Sequence, residues 1–101
     1  MSSFDCYMEE LKLQVVREYL NTNFSGSKID ENYDFDRGAQ TFRIRTDKNL
    51  LLLKVGEEFL SDNSEVKLLE YLINWEVASL LTENKELGIL ICNTAPISFS
   101  R

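Results

Sequence analysis

No histidine occurs anywhere in the 101-residue chain. That absence removes the commonest general base and the commonest zinc ligand together, and with them any nucleophile–histidine mechanism. Cysteine is nearly as scarce. Cys6 and Cys92 stand near opposite ends in periodic apolar segments, too few for a structural zinc site, and two buried reduced thiols are expected. The single proline, Pro96, lies near the C-terminus, so no proline-rich linker divides the chain. One α+β domain spanning residues 1–101 is expected, with 95–101 as an edge strand or a frayed tail. Gly26, Gly38, Gly56 and Gly88 each stand alone; without a G-x-G-x-x-G or phosphate-loop run, no cofactor is expected. Long apolar runs are missing too. None approaches the roughly 20 residues that span a bilayer, and Glu9 and Glu10 stand where a secretory leader would carry its apolar core. A cytoplasmic protein without membrane contact is the expectation.

Charge is plentiful but unevenly placed. The net charge of −6 disfavours a general nucleic-acid binder, whose affinity rests on neutralising phosphates. Residues 1–36 carry 3 bases and 8 acids, residues 37–54 carry 5 bases and 1 acid, and residues 55–101 carry 3 bases and 8 acids. A basic middle of +4 therefore lies between two flanks of −5. The acidic run Asp30 to Asp36 resembles the start of a calcium loop, but Phe35 and Thr41 stand where that loop needs Gly and Glu. A solvated strand face is the better reading, and no metal site is expected.

Periodicity organises the rest. Phe4, Met8, Leu11, Val15 and Tyr19 recur at helical spacing over residues 3–23, with Ser2 or Ser3 as cap. Residues 28–36 and 40–46 alternate as strands around a turn at Arg37-Gly38, and Leu50 to Val55 forms a third before Gly56. Thr46 to Asn49 makes the turn between the second and third. Glu57 to Leu60 offers one helical turn, and Asp62-Asn63-Ser64 caps a long helix over about 64–82. That helix is apolar at 11 of the 16 positions from Val66 to Leu81, which implies cover on more than one side. Leu87 to Cys92 reads as a strand buried on both faces. The order is α-β-β-β-α-β, and the economical architecture is an antiparallel sheet of four or five strands with two long helices on one face.

The first hairpin has an expected register. Setting Tyr33 opposite Phe42 places Asp30 opposite Arg45 and Asn32 opposite Arg43, with a four-residue loop, and leaves Glu31 on the apolar side. Leu51, Leu53 and Val55 then join the core face, while Leu50 and Leu52 share the outer face with Arg43 and Arg45. Apolar residues beside arginines make the mixed surface that interfaces favour. Tyr71 and Trp75 on the apolar helix are further anchor candidates, weighed against plain core packing.

The element order resembles, coarsely, that of double-stranded RNA-binding domains and of small acidic secretion chaperones. In the former, lysines at the start of the last helix grip phosphates; this chain has Ser64-Glu65-Val66-Lys67 there, so the resemblance stops short of the site. The expectation is a non-enzymatic interaction or regulatory module, homodimeric through an apolar sheet face or bound to another protein. The alternative is a binding domain for an anionic ligand or nucleic acid through the basic hairpin 37–54.

Overall fold

Alternating side chains build strands because a period of two gives each strand one row of residues for a common core. In the computed structural model, which describes residues 3–36 and 38–100 with side chains from Glu10 onward, the alternating stretches form β1 (Lys28–Asp34), β2 (Ala39–Arg45) and β3 (Leu50–Gly56). The helix α1 (Ser3–Asn23) precedes them. After β3 the chain runs through α2 (Glu57–Asp62), α3 (Glu65–Asn74) and α4 (Val77–Glu83) to β4 (Gly88–Ile91) and the edge strand β5 (Pro96–Phe99). The class is α+β, and the order roughly matches the expected α-β-β-β-α-β.

Several expectations are corrected. The sheet, ordered β1-β2-β3-β4-β5, is mixed: β3 and β4 are parallel and the other neighbours antiparallel. Parallel neighbours need a crossover of a dozen or more residues, and the helical stretch between β3 and β4 supplies it. The expected long helix over 64–82 is two helices, broken where Glu76 adopts φ 49, ψ 52. A left-handed residue just past a helix end is a common stop, though glycine usually fills it. The turn expected at Glu57 continues to Asp62 as α2.

The hairpin register is corrected as well: it slides by two residues. Asp34 pairs with Ala39, Tyr33 with Gln40 and Glu31 with Phe42. A two-residue slip keeps every side chain on its own face, so the core assignment survives. The loop keeps four residues and ends at Gly38, whose φ of +60 suits glycine; Arg37 lies outside the described residues. The observed register is rewarded at both ends. Glu31 receives Arg17 of α1 through Nε–Oε2 at 2.5 Å and Nη2–Oε1 at 3.0 Å, so its place on the apolar side is explained by a helix arginine. Tyr33 donates its hydroxyl to Glu57 Oε2 at 2.9 Å, and the Glu57 amide donates to the Gly38 carbonyl at 2.9 Å.

The helices lie on one face of the sheet. Phe42, Ile44, Leu53, Val55 and Ile91 meet Val16, Leu20, Leu68, Leu72, Val77 and Leu81, all buried, in one contiguous cluster. The α1 stripe is therefore rotated slightly from the expected one. Val16, Tyr19 and Leu20 are buried, and Leu13 and Val15 are only partly so. The side chains of Phe4, Cys6 and Met8 lie outside the described residues, as does the cap position Ser2. Three asparagines end helices alike: Asn23, Asn63 and Asn84 each donate a side-chain N–H at 2.8 Å to the carbonyl four residues earlier. They satisfy carbonyls that a helix end leaves without partners. At the start of α3, Ser64 Oγ accepts from the Lys67 amide at 3.2 Å, the cap its sequence implied.

Candidate interaction surface

With helices on one side only, every second strand residue points away from the core. Cross-strand pairing sorts these residues into rows. One runs Asp30, Arg43, Leu52, Gly88, Phe99; the next runs Asn32, Thr41, Lys54, Leu90, Ile97. Arg45 and Leu50 face each other at the end of β2 and β3. The structure thus brings together Arg43, Arg45, Leu50 and Leu52. The face is polar and charged over β1 and β2 and, Lys54 apart, apolar over β3 to β5. Leu50 is 39% exposed and Ile97 48%, and Leu52, Leu90 and Phe99 are half-buried.

Part of this face is covered by the chain itself. A β-carbon on Gly88 would stand 2.2 Å from Phe99 Cζ, so the phenyl ring of β5 lies directly over the bare glycine of β4. The Lys54 ammonium stands 5.4 Å from the centre of that ring, within cation–π range and worth about 0.5–1 kcal/mol when partly exposed. β4 is therefore not sealed on both faces, as its apolar run implied. Its inner face is closed by the helices and its outer face by one ring, with Leu90 left half-open.

The positive field of the hairpin is also reduced from within. Lys54 Nζ meets Asp34 Oδ2 at 2.6 Å, and Arg45 Nε approaches Asp30 Oδ2 at 3.7 Å. The latter pair is diagonal, because Asp30 stands opposite Arg43 in the observed register. Arg43 has no ion-pair partner among the described residues.

Tyr71 and Trp75 lie elsewhere, on the helical side. Their rings stack 4.6 Å apart at 28° and both meet Phe59, at 5.7 and 5.8 Å. Both are half-buried against the core, so they do not belong to the sheet-face patch. Sequence reasoning missed a different apolar surface. Val66, Leu69 and Ile73 of α3 are 67%, 41% and 55% exposed, where cover on more than one side of this helix was expected. Their spacing of three and four was the signal that could have marked a second stripe.

Hydrogen bonding from Arg17 holds the Glu10 carboxyl below its ordinary range, and Glu31, then Glu10, raise Arg17. Cys92, a half-buried free thiol, is lowered by its contact with the Thr94 hydroxyl and then by Ala95. Among the described residues no three His, Cys, Asp or Glu side chains group so as to hold a metal, and no helix is long and apolar enough to cross a membrane. Comparison with protein-family models, with curated proteins and with solved structures returned no match.

Proposed function

We propose that this chain is a non-enzymatic interaction module that works in the cytoplasm and self-associates through the helix-free face of its sheet. One observation carries the reading: Leu50 and Leu52 stand directly opposite Arg45 and Arg43, next to the half-open apolar strip of Leu90, Ile97 and Phe99. An apolar centre flanked by arginine is the composition that interfaces favour. A cytoplasmic setting keeps the Cys92 thiol reduced. Strands about 4.8 Å apart, rising about 3.3 Å per residue, give the five-stranded face a plan area on the order of 400 Å². That is below the roughly 800 Å² per partner of stable complexes, so the association is concentration-dependent.

Sedimentation velocity over a wide concentration range tests this reading. The wild type shifts from monomer to dimer as concentration rises, while Leu50→Asp/Leu52→Asp stays monomeric with an unchanged far-ultraviolet spectrum. A double variant that is folded and still dimeric refutes the surface. Retention of the wild type on heparin at low salt, lost in Arg43→Gln, would shift the assignment to an anionic ligand instead.

A further inference from the structure

The opposite side of the molecule carries a groove that the sheet-face reading does not use. It lies between α1 and the α3–α4 pair and has a volume of about 570 Å³, within the roughly 300–1,000 Å³ of ordinary ligand sites. Val15, Leu69, Ile73 and Ala78 supply its apolar lining, and Glu18 and Glu76 stand at its rim. None of its lining residues is a lysine or arginine. The left-handed turn at Glu76 shapes it, because Ile73 comes from the helix before the break and Ala78 from the helix after. The exposed stripe Val66, Leu69, Ile73 continues the lining along α3. From Val66 to Ile73 is seven residues, or about 10.5 Å of helix, the length of two turns in a ligand helix.

We infer that this groove seats a cationic amphipathic helix of a partner protein. Apolar side chains of the ligand at i, i+4 and i+7 pack on Val15, Leu69 and Ile73, in the manner of helix-in-groove recognition. Lysines or arginines beside that stripe meet Glu18 and Glu76. Charge selects this occupant over a second copy of the chain. The helices here are each net acidic: Glu57, Glu58 and Asp62 on α2 and Glu83 on α4 have no basic residue beside them in their helix, and the one base of α3, Lys67, is outnumbered by Glu65 and Glu70 and paired with Glu70. Laying one of them in the groove of another copy would set like charges together, which costs affinity. The basic residues of the helices are already engaged within the chain, Lys12 with the Leu60 carbonyl, Arg17 with Glu10 and Glu31 and Lys67 with Glu70, and on the flat sheet Lys54 and Arg45 face Asp34 and Asp30.

The test uses a fluorescently labelled designed peptide of about 15 residues, four helical turns, with leucines at i, i+4, i+7 and i+11 and lysines flanking them. Its control is a scramble of identical composition, and the readout is fluorescence anisotropy at physiological salt. The patterned peptide binds at least about tenfold more tightly than the scramble. Leu69→Ser/Ile73→Ser, which changes exposed positions, weakens it about tenfold or more, as expected for central anchors. Glu18→Gln/Glu76→Gln weakens it less and flattens its salt dependence. Leu50→Asp/Leu52→Asp leaves it unchanged, which separates this site from the sheet face. Amide shift mapping on the wild type places the perturbation at Val15, Leu69, Ile73 and Ala78, independently of any variant. Equal binding of pattern and scramble, or full affinity in Leu69→Ser/Ile73→Ser, overturns the assignment. So does a wild-type dimer that this variant dissociates and Leu50→Asp/Leu52→Asp does not, since the groove would then hold a second copy.

Discussion

On the open face of the sheet, Lys54 and Arg45 each face an aspartate and a phenyl ring lies over Gly88, whereas on the outer side of α3 the side chains of Val66, Leu69 and Ile73 stand in solvent. Both surfaces carry apolar residues beyond what the single core uses. They differ because of how strands and helices place their neighbours. Cross-strand partners sit about 5 Å apart, and even diagonal neighbours are within reach of long side chains, so a sheet partly satisfies its own exposed face. Residues on the outer stripe of a helix meet only one another along its axis. They stay bare unless another element is laid across them, and in this fold α1 lies to one side of α3 and leaves a groove.

The largest effect that separates buried from open surface comes from adjacent residues of one strand. Leu53 is fully buried under the helices, while Leu52 is half-buried on the open face. Leu53→Ala removes about 2–5 kcal/mol of stability, the range for buried leucine. Leu52→Ala stays below about 1 kcal/mol. Chemical denaturation of both variants checks this, and similar losses would mean that the open face is covered after all.

How far that distinction was legible depends on which contacts enforce it. Alternation in Thr41-Phe42-Arg43-Ile44-Arg45 and Leu50 to Val55 assigned every one of these residues to its observed face, because parity survives a two-residue slip. The register itself was not legible. It was argued from pairs within the hairpin, and the observed one draws on Arg17 and Glu57, which come from helices 14 and 26 residues away from Glu31. The parallel β3–β4 pairing was foreshadowed by the long helical stretch between them, but the antiparallel hairpins dominated the expectation. The break at Glu76 carried no signal, since neither glycine nor proline marks it. Of the candidate residues, Arg43, Arg45, Leu50 and Leu52 lie together on the open face of the sheet. Tyr71 on α3 and Trp75 at its C-terminal cap sit with Phe59 of α2, packed against the core.

A smaller effect sharpens the account of the sheet's self-cover. Gly88→Ala puts a methyl group where the Phe99 ring lies, since the β-carbon would meet three ring atoms at 2.2 to 2.6 Å. The ring must swing away, at a cost of about 1–3 kcal/mol for this kind of overpacking. Phe99→Ala alone costs the ring's contacts with β4 and Lys54. In the double variant the clash is gone, so the two losses do not add, and a double-mutant cycle measures the difference. Simple additivity would show that ring and glycine are not in contact.

The smallest expected change is on the helical side, at Glu76. A non-glycine residue in the left-handed region costs roughly 1–2 kcal/mol, and glycine removes that strain while adding about 0.5–1 kcal/mol of entropy to be lost on folding. Glu76→Gly therefore raises stability by about 0.5 kcal/mol net, or about 2–4 °C in melting temperature for a domain of this size. Glu76→Ala keeps the strained backbone and gains nothing. The same glycine variant loses one rim carboxylate of the groove, so it binds the cationic peptide more weakly while melting higher. That opposed pair of changes is the mark of a residue held in strain for the surface it shapes. If Glu76→Gly melts no higher than Glu76→Ala, the turn stores no strain, and the groove owes its form to the packing of α1 on α3 alone.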